Sequence, residues 1–131
     1  MIAELPEAME VQTKRRMFTL KKGFYAYVGS AMNNLEARIA RHVSRDKKRH
    51  WHTDYLLDHA QIKTVIWAQT ETQAECQLAQ SLSEMTVVAG FGCSDCRCPS
   101  HLFHASEHEC LTERTLEGFK SMGLKPVITP I

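Results

Sequence analysis

Apolar and polar residues alternate most cleanly between Gly23 and Gly29, where Phe24, Ala26 and Val28 interleave with Tyr25, Tyr27 and Gly29. Successive side chains of a strand point to opposite faces, so the pattern predicts a strand carrying both tyrosines on one face. The period then changes. Leu35, Ile39 and Val43 recur at helical spacing behind Asn33 or Asn34 as a cap, which leaves Arg38, Arg41 and Arg45 on a neighbouring face. A turn through Asp46-Lys47-Lys48 leads to His50-Trp51-His52 and a short helical piece near Asp54 to His59. Ile62 to Ala68, rich in β-branched and aromatic residues, predicts a core strand. Thr72 is expected to cap a helix reaching about Ser83, with Glu75, Leu78 and Leu82 along its buried side. Val87-Val88 and Leu102-Phe103 read as short strands around a cysteine-rich loop. Ser106 and Glu109 spell a capping box for a last helix docked by Leu116, Phe119 and Met122 and stopped by Gly123. Before Gly23 the pattern is weaker: Val11 and Phe18-Thr19-Leu20 suggest an irregular hairpin over Ile2 to Leu20, turning at Lys14-Arg15-Arg16.

Together these elements predict an α+β domain, a small mixed or antiparallel sheet flanked by helices. At 131 residues the chain can bury one core, so residues 1–106 are expected to form the domain and 107–131 a helical extension packed on it. No apolar run approaches the roughly 20 residues of a membrane span, and the opening Met1-Ile2-Ala3-Glu4-Leu5-Pro6 lacks the basic and apolar regions of a signal peptide. A cytoplasmic protein without a membrane partner is the expectation. The cysteines number five, an odd count, and three crowd between Cys93 and Cys98. Reduced thiols or metal ligands therefore fit better than a disulfide framework, and a Cys96–Cys98 disulfide is disfavoured in a reducing compartment. Net charge is only +1, but Arg38, Arg41, Arg45, Lys47, Lys48 and Arg49 are opposed locally by Asp46 alone, whereas Glu107, Glu109, Glu113 and Glu117 load the tail. The middle of the chain is built to attract phosphate.

The segment Gly23-Phe24-Tyr25-Ala26-Tyr27-Val28-Gly29-Ser30-Ala31, followed by Leu35-Glu36-Ala37-Arg38-Ile39-Ala40-Arg41-His42, resembles the Tyr-Ile-Gly half of the GIY-YIG nuclease motif. The similarity, which is to the Uri-like branch, continues through Lys48-Arg49-His50-Trp51-His52-Thr53-Asp54-Tyr55, Glu75-Cys76 and the stretch from Phe91 to Phe103. It covers most of residues 20–104. The resemblance implies a nuclease-like α+β fold in which Tyr27, Arg38, His42 and Glu75 are catalytic. Family members carry a Gly-Ile-Tyr element on an earlier first strand; here Met1-Ile2-Ala3-Glu4-Leu5 stands where that strand should be ending, without its tyrosine, so a truncated first strand is expected.

The residue types suit that chemistry. Phosphodiester hydrolysis needs a group that orients or deprotonates water, a metal ion to accept developing charge, and a cation beside the phosphate. Glu75 offers a hard oxygen ligand for Mg²⁺ or Mn²⁺, and Arg38 can hold two phosphate oxygens at once. Tyr27 is the water-orienting candidate, although a phenol titrates near ~10 and needs a nearby cation to ionise at neutral pH. His42 or His52 can relay the proton, and Arg41, Lys47, Lys48 and His52 can contact DNA. Read singly, each has an ordinary role: Tyr27 as a strand aromatic, the arginines as a solvated helix face, Glu75 as a first-turn acid, and the histidines as structural residues. Cys96, Cys98, His101 and His104 have ligand types suited to a structural Zn²⁺, at tighter spacing than a zinc finger; the alternative is a loop of packed thiols. The leading functional expectation is a metal-dependent DNA endonuclease. The alternatives are a catalytically impaired nucleic-acid-binding module of the same fold and a metal-stabilised interaction domain.

Overall fold

The computed structural model describes residues 1–13, 16–29, 37, 39–41, 44, 52–70, 74–82, 84–91 and 98–130, with the side chains of His52 and Thr53 outside the described set. Among them, in chain order, are β1 (Ile2–Leu5), β2 (Met9–Gln12), β3 (Met17–Leu20), β4 (Gly23–Tyr27), α1 (His52–Leu57), β5 (Gln61–Trp67), α2 (Glu75–Ser81), β6 (Thr86–Val87), β7 (Leu102–Ala105), α3 (His108–Ser121) and β8 (Val127–Pro130). Ala37 and Ile39 to Arg41 are also helical. The architecture is α+β, with a six-stranded sheet in the order β6-β7-β4-β1-β5-β8 and a separate β2-β3 hairpin. Every strand pair is antiparallel.

The hairpin predicted for Ile2 to Leu20 occupies only its second half. Ile2–Leu5 is a strand of its own at the middle of the sheet, between β4 and β5. Three of its four residues are buried, Ile2 on one face and Ala3 and Leu5 on the other, which is what a strand covered on both sides requires. Pairing with β5 passes through an irregularity between Ile2 and Ala3, which face Thr64 and Ile62 respectively. The skipped residue shifts the in-out phase of β5, so that Ile62 joins the core of one face while Ile66 joins that of the other.

One face is covered by the hairpin residues Val11, Phe18 and Leu20, by Leu56, Leu57 and Ala60 in and after α1, and by Phe91, all packed with Tyr25 and Leu102. Against the other face lie Leu78 and Ala79 of α2, Leu82, and Leu111 and Phe119 of α3, packed with Ile2, Ala26, Ile66 and Phe103. Helices α2 and α3 meet closely at Gly118, where a methyl group would lie 2.9 Å from Leu78 Cδ1.

Helix starts depart from the expected caps. The residue preceding α3 is Glu107, in extended conformation and making no side-chain capping bond, so Ser106 and Glu109 do not form the predicted box. Tertiary contacts fix the start instead: the His108 ring meets the Thr64 hydroxyl at 2.8 Å and the edge of Phe24. Ala74 precedes α2, again without a side-chain cap, and Thr72 lies outside the described residues. Gly123 does end α3 as predicted; its φ of 76° is one that a side-chain-bearing residue rarely adopts. Among the described residues, no helix is long and apolar enough to cross a membrane.

Candidate functional site

Tyr27 closes β4 opposite Leu102 of β7. Its backbone is held from the other side by Met1: the Tyr27 N–H donates to the Met1 carbonyl at 2.8 Å, and the Met1 amine donates to the Tyr27 carbonyl at 3.1 Å. The half-buried ring stands edge-on to Phe91, 6.3 Å between centroids, and its Cε1 would lie 3.4 Å from a methyl group at Gly29. Tyr25, on the same face, has a different role: it is buried and donates to the Lys21 carbonyl at 2.6 Å, and burial pushes its pKa up to about 12.

Arg38 and His42 lie outside the described residues, as do Lys47 and Lys48. The helical residues between the first two are described. Ile39 packs on the Tyr25 side of the sheet, and Arg41 reaches α1, where its two guanidinium nitrogens donate to the two carboxylate oxygens of Asp54 at 2.9 Å each. The Asp54 side chain is 0% exposed and that of Arg41 34%. Hydrogen bonding from Asp54 outweighs burial and pushes the Arg41 guanidinium above its ordinary range. The fork of Arg41, a candidate DNA contact, is matched to a buried carboxylate, and the pair is neutral. Nothing in the local sequence marks Asp54 as that partner, because it stands 13 residues away in a separate helix. His52 is the first residue of α1.

Glu75 is the first residue of α2, half-buried, in the turn where a helix favours negative charge. The helix packs Leu78 and Ala79 on the sheet face opposite the Tyr27 ring. Even so, its first turn is tied to the end of β4. Cys76 Sγ lies 3.9 Å from His101 Nε2, the His101 carbonyl accepts from the Val28 N–H at 2.9 Å, and Val28 follows Tyr27.

His101 also brings Cys98 into the group, and the ligand atoms of Cys76, Cys98 and His101 all lie within 4.8 Å of one another. Two members of the expected zinc set, Cys98 and His101, are therefore together. His104 is not with them. Three residues on from His101 along an extended chain, it faces the other side of the sheet, where its ring packs at a tilt against Tyr25, 4.9 Å between centroids, and meets the Lys22 carbonyl at 3.0 Å. There it lines a shallow groove of about 270 Å³ with Arg16, Lys21 and Thr86. Cys96 lies outside the described residues. Cys76 is 22 residues from Cys98, so no short spacing in the sequence marks the two as partners.

The family model of the Domain of unknown function DUF123 matches residues 1–124, which spans every element except β8. Comparison with curated proteins and with solved structures returns no match.

Proposed function

The chain belongs to the DUF123 family, and we propose that it is a metal-dependent DNA endonuclease of the GIY-YIG type. The observation that carries this reading is the connection from Tyr27 through Val28 and His101 to Cys76, which ties the strand end bearing the phenol to the helix turn bearing Glu75. In the proposed reaction Glu75 is the residue that would hold Mg²⁺ or Mn²⁺, leaving the ion part of its water shell. A divalent ion held there would supply Lewis-acid stabilisation of developing negative charge. Tyr27 orients the attacking water, Arg38 holds the phosphate, and His42 or His52 carries the proton. Lys47, Lys48 and His52 are the proposed phosphate contacts, and Arg41 is engaged by Asp54. Its bond to Asp54 serves the same site indirectly, by anchoring the helical residues around Arg38 to α1.

A second reading is favoured by the packing of α2 opposite the Tyr27 ring: a module of the same fold that binds nucleic acid without cutting it. The two readings separate on purified protein incubated with supercoiled, single-stranded and branched DNA and either divalent ion. The nuclease reading expects metal-dependent products from wild type that Glu75→Ala abolishes. Identical trace cleavage by both proteins removes it; salt-sensitive binding that survives Glu75→Ala then supports the module.

A further inference from the structure

We propose that Cys76, Cys98 and His101 form a binding site for one Zn²⁺ ion, separate from the hard-ion site at Glu75 and acting as a clip between α2 and the β4-β7 end of the sheet. Geometry is the first argument. Zn–S bonds near 2.3 Å and Zn–N bonds near 2.0–2.1 Å in a tetrahedron put a sulfur and a nitrogen ligand roughly 3.6 Å apart and two sulfurs roughly 3.8 Å apart. Cys76 Sγ and His101 Nε2 are already 3.9 Å apart, and all three ligand atoms fall within 4.8 Å, so closing the site takes shifts of at most about an ångström. These donors come from separate parts of the chain: the first turn of α2, the segment before β7, and the residue leading into β7.

Donor chemistry is the second argument. Two thiolates and an imidazole form a set that soft and borderline ions prefer, and one that Mg²⁺ and Mn²⁺ leave to carboxylates. Both cysteines are thiols. Binding would release their two protons to solvent, and the two thiolate charges would balance the ion at a half-buried place, beside a histidine only 3% exposed. A fourth position remains for water or another donor. The backbone of His101 is well placed to transmit the constraint, since its N–H donates to the Phe91 carbonyl at 2.9 Å and its carbonyl accepts from Val28. A zinc ion there would fix Cys76, and with it the neighbouring Glu75, against the strand that ends in Tyr27.

The test uses the full chain purified without chelator. Metal analysis is expected to give close to one zinc per chain, and Co²⁺ exchanged for it to show thiolate charge-transfer absorption with the intense visible bands of a tetrahedral ion. Peptide-mapped alkylation of wild type then reads each cysteine: Cys76 and Cys98 should react at least tenfold more slowly with zinc than after its removal, while the exposed Cys110 reacts alike in both states. His104→Ala should retain the zinc and His101→Ala lose it; if the second variant does not fold, the alkylation of wild type decides. The proposal is overturned by wild type that takes up no zinc and alkylates equally with and without it, by a Cys76–Cys98 disulfide in the purified protein, or by His104→Ala losing the ion while remaining folded. None of these readouts depends on nuclease activity.

Discussion

Replacing Arg41 with methionine removes the guanidinium and keeps much of the aliphatic stem. It leaves the Asp54 carboxylate, 0% exposed, without two hydrogen bonds of 2.9 Å. Breaking a fully buried ion pair by deleting one partner costs roughly 3–5 kcal/mol, mostly because the remaining charge has lost both water and partner. Here water reaches the arginine side of the pair, so the lower end applies, about 3 kcal/mol. At roughly 3 °C per kcal/mol for a chain of this size, Arg41→Met should melt about 9 °C below wild type. The deficit should narrow as pH is lowered, because the carboxyl can then stay buried by taking up a proton. Replacing both residues, Arg41→Met with Asp54→Leu, should recover most of the loss, since two apolar groups leave no charge stranded. Thermal melts across pH, run beside DNA-binding titrations, separate this account from the phosphate-binding role. A variant with unchanged melting temperature and weakened DNA binding would refute the structural assignment of Arg41.

Gly118→Ala ordinarily gains about 1 kcal/mol of helix propensity. The new methyl, however, would clash with Ser81 Oγ and sit 2.9 Å from Leu78 Cδ1, and overpacking costs about 1–3 kcal/mol, so a net loss near 1 kcal/mol is expected by denaturant titration. Ser81→Ala in the same chain should return part of it. Tyr25, with its folded pKa pushed up to about 12 from an ordinary 10.0, should make the protein sensitive to alkali. Below pH 10 both folded and unfolded forms carry the phenol proton and the stabilisation is complete; as pH rises towards 12 the unfolded form ionises first and stability falls. Tyrosinate absorbance should therefore rise together with unfolding, and Tyr25→Phe should flatten stability against pH over that interval.

Much of the sheet was legible because its strands carry strong local patterns. The alternation of Gly23 to Gly29 assigned Tyr25 and Tyr27 to one face, and the β-branched run of Ile62 to Ala68 matched β5 within a residue at either end. Features set by tertiary contact were not. Ile2–Leu5 is four residues long, too short to show a period, and only its two antiparallel neighbours define it as the central strand. Ser106 and Glu109 had the spacing of a capping box, yet packing of His108 against Thr64 and Phe24 sets where α3 begins. The candidate site divides in the same way. Counting cysteines and histidines along the chain grouped His101 with His104, but strand periodicity sends them to opposite faces and α2 brings in Cys76. Arg41 looked like one of several solvated cations because its buried counterion belongs to another helix.

The proposed nuclease reaction requires Tyr27 and Glu75 to serve one step on DNA. It is tested most directly by single-turnover cleavage with Mg²⁺ for wild type, Tyr27→Phe and Glu75→Gln, measured at protein concentrations where all three are shown to bind the DNA equally. Loss of a positioned acid-base or water-orienting group typically costs about 10²–10⁴ in rate, so each variant should fall in that range with binding unchanged. Cleavage by either variant at the wild-type rate would contradict it.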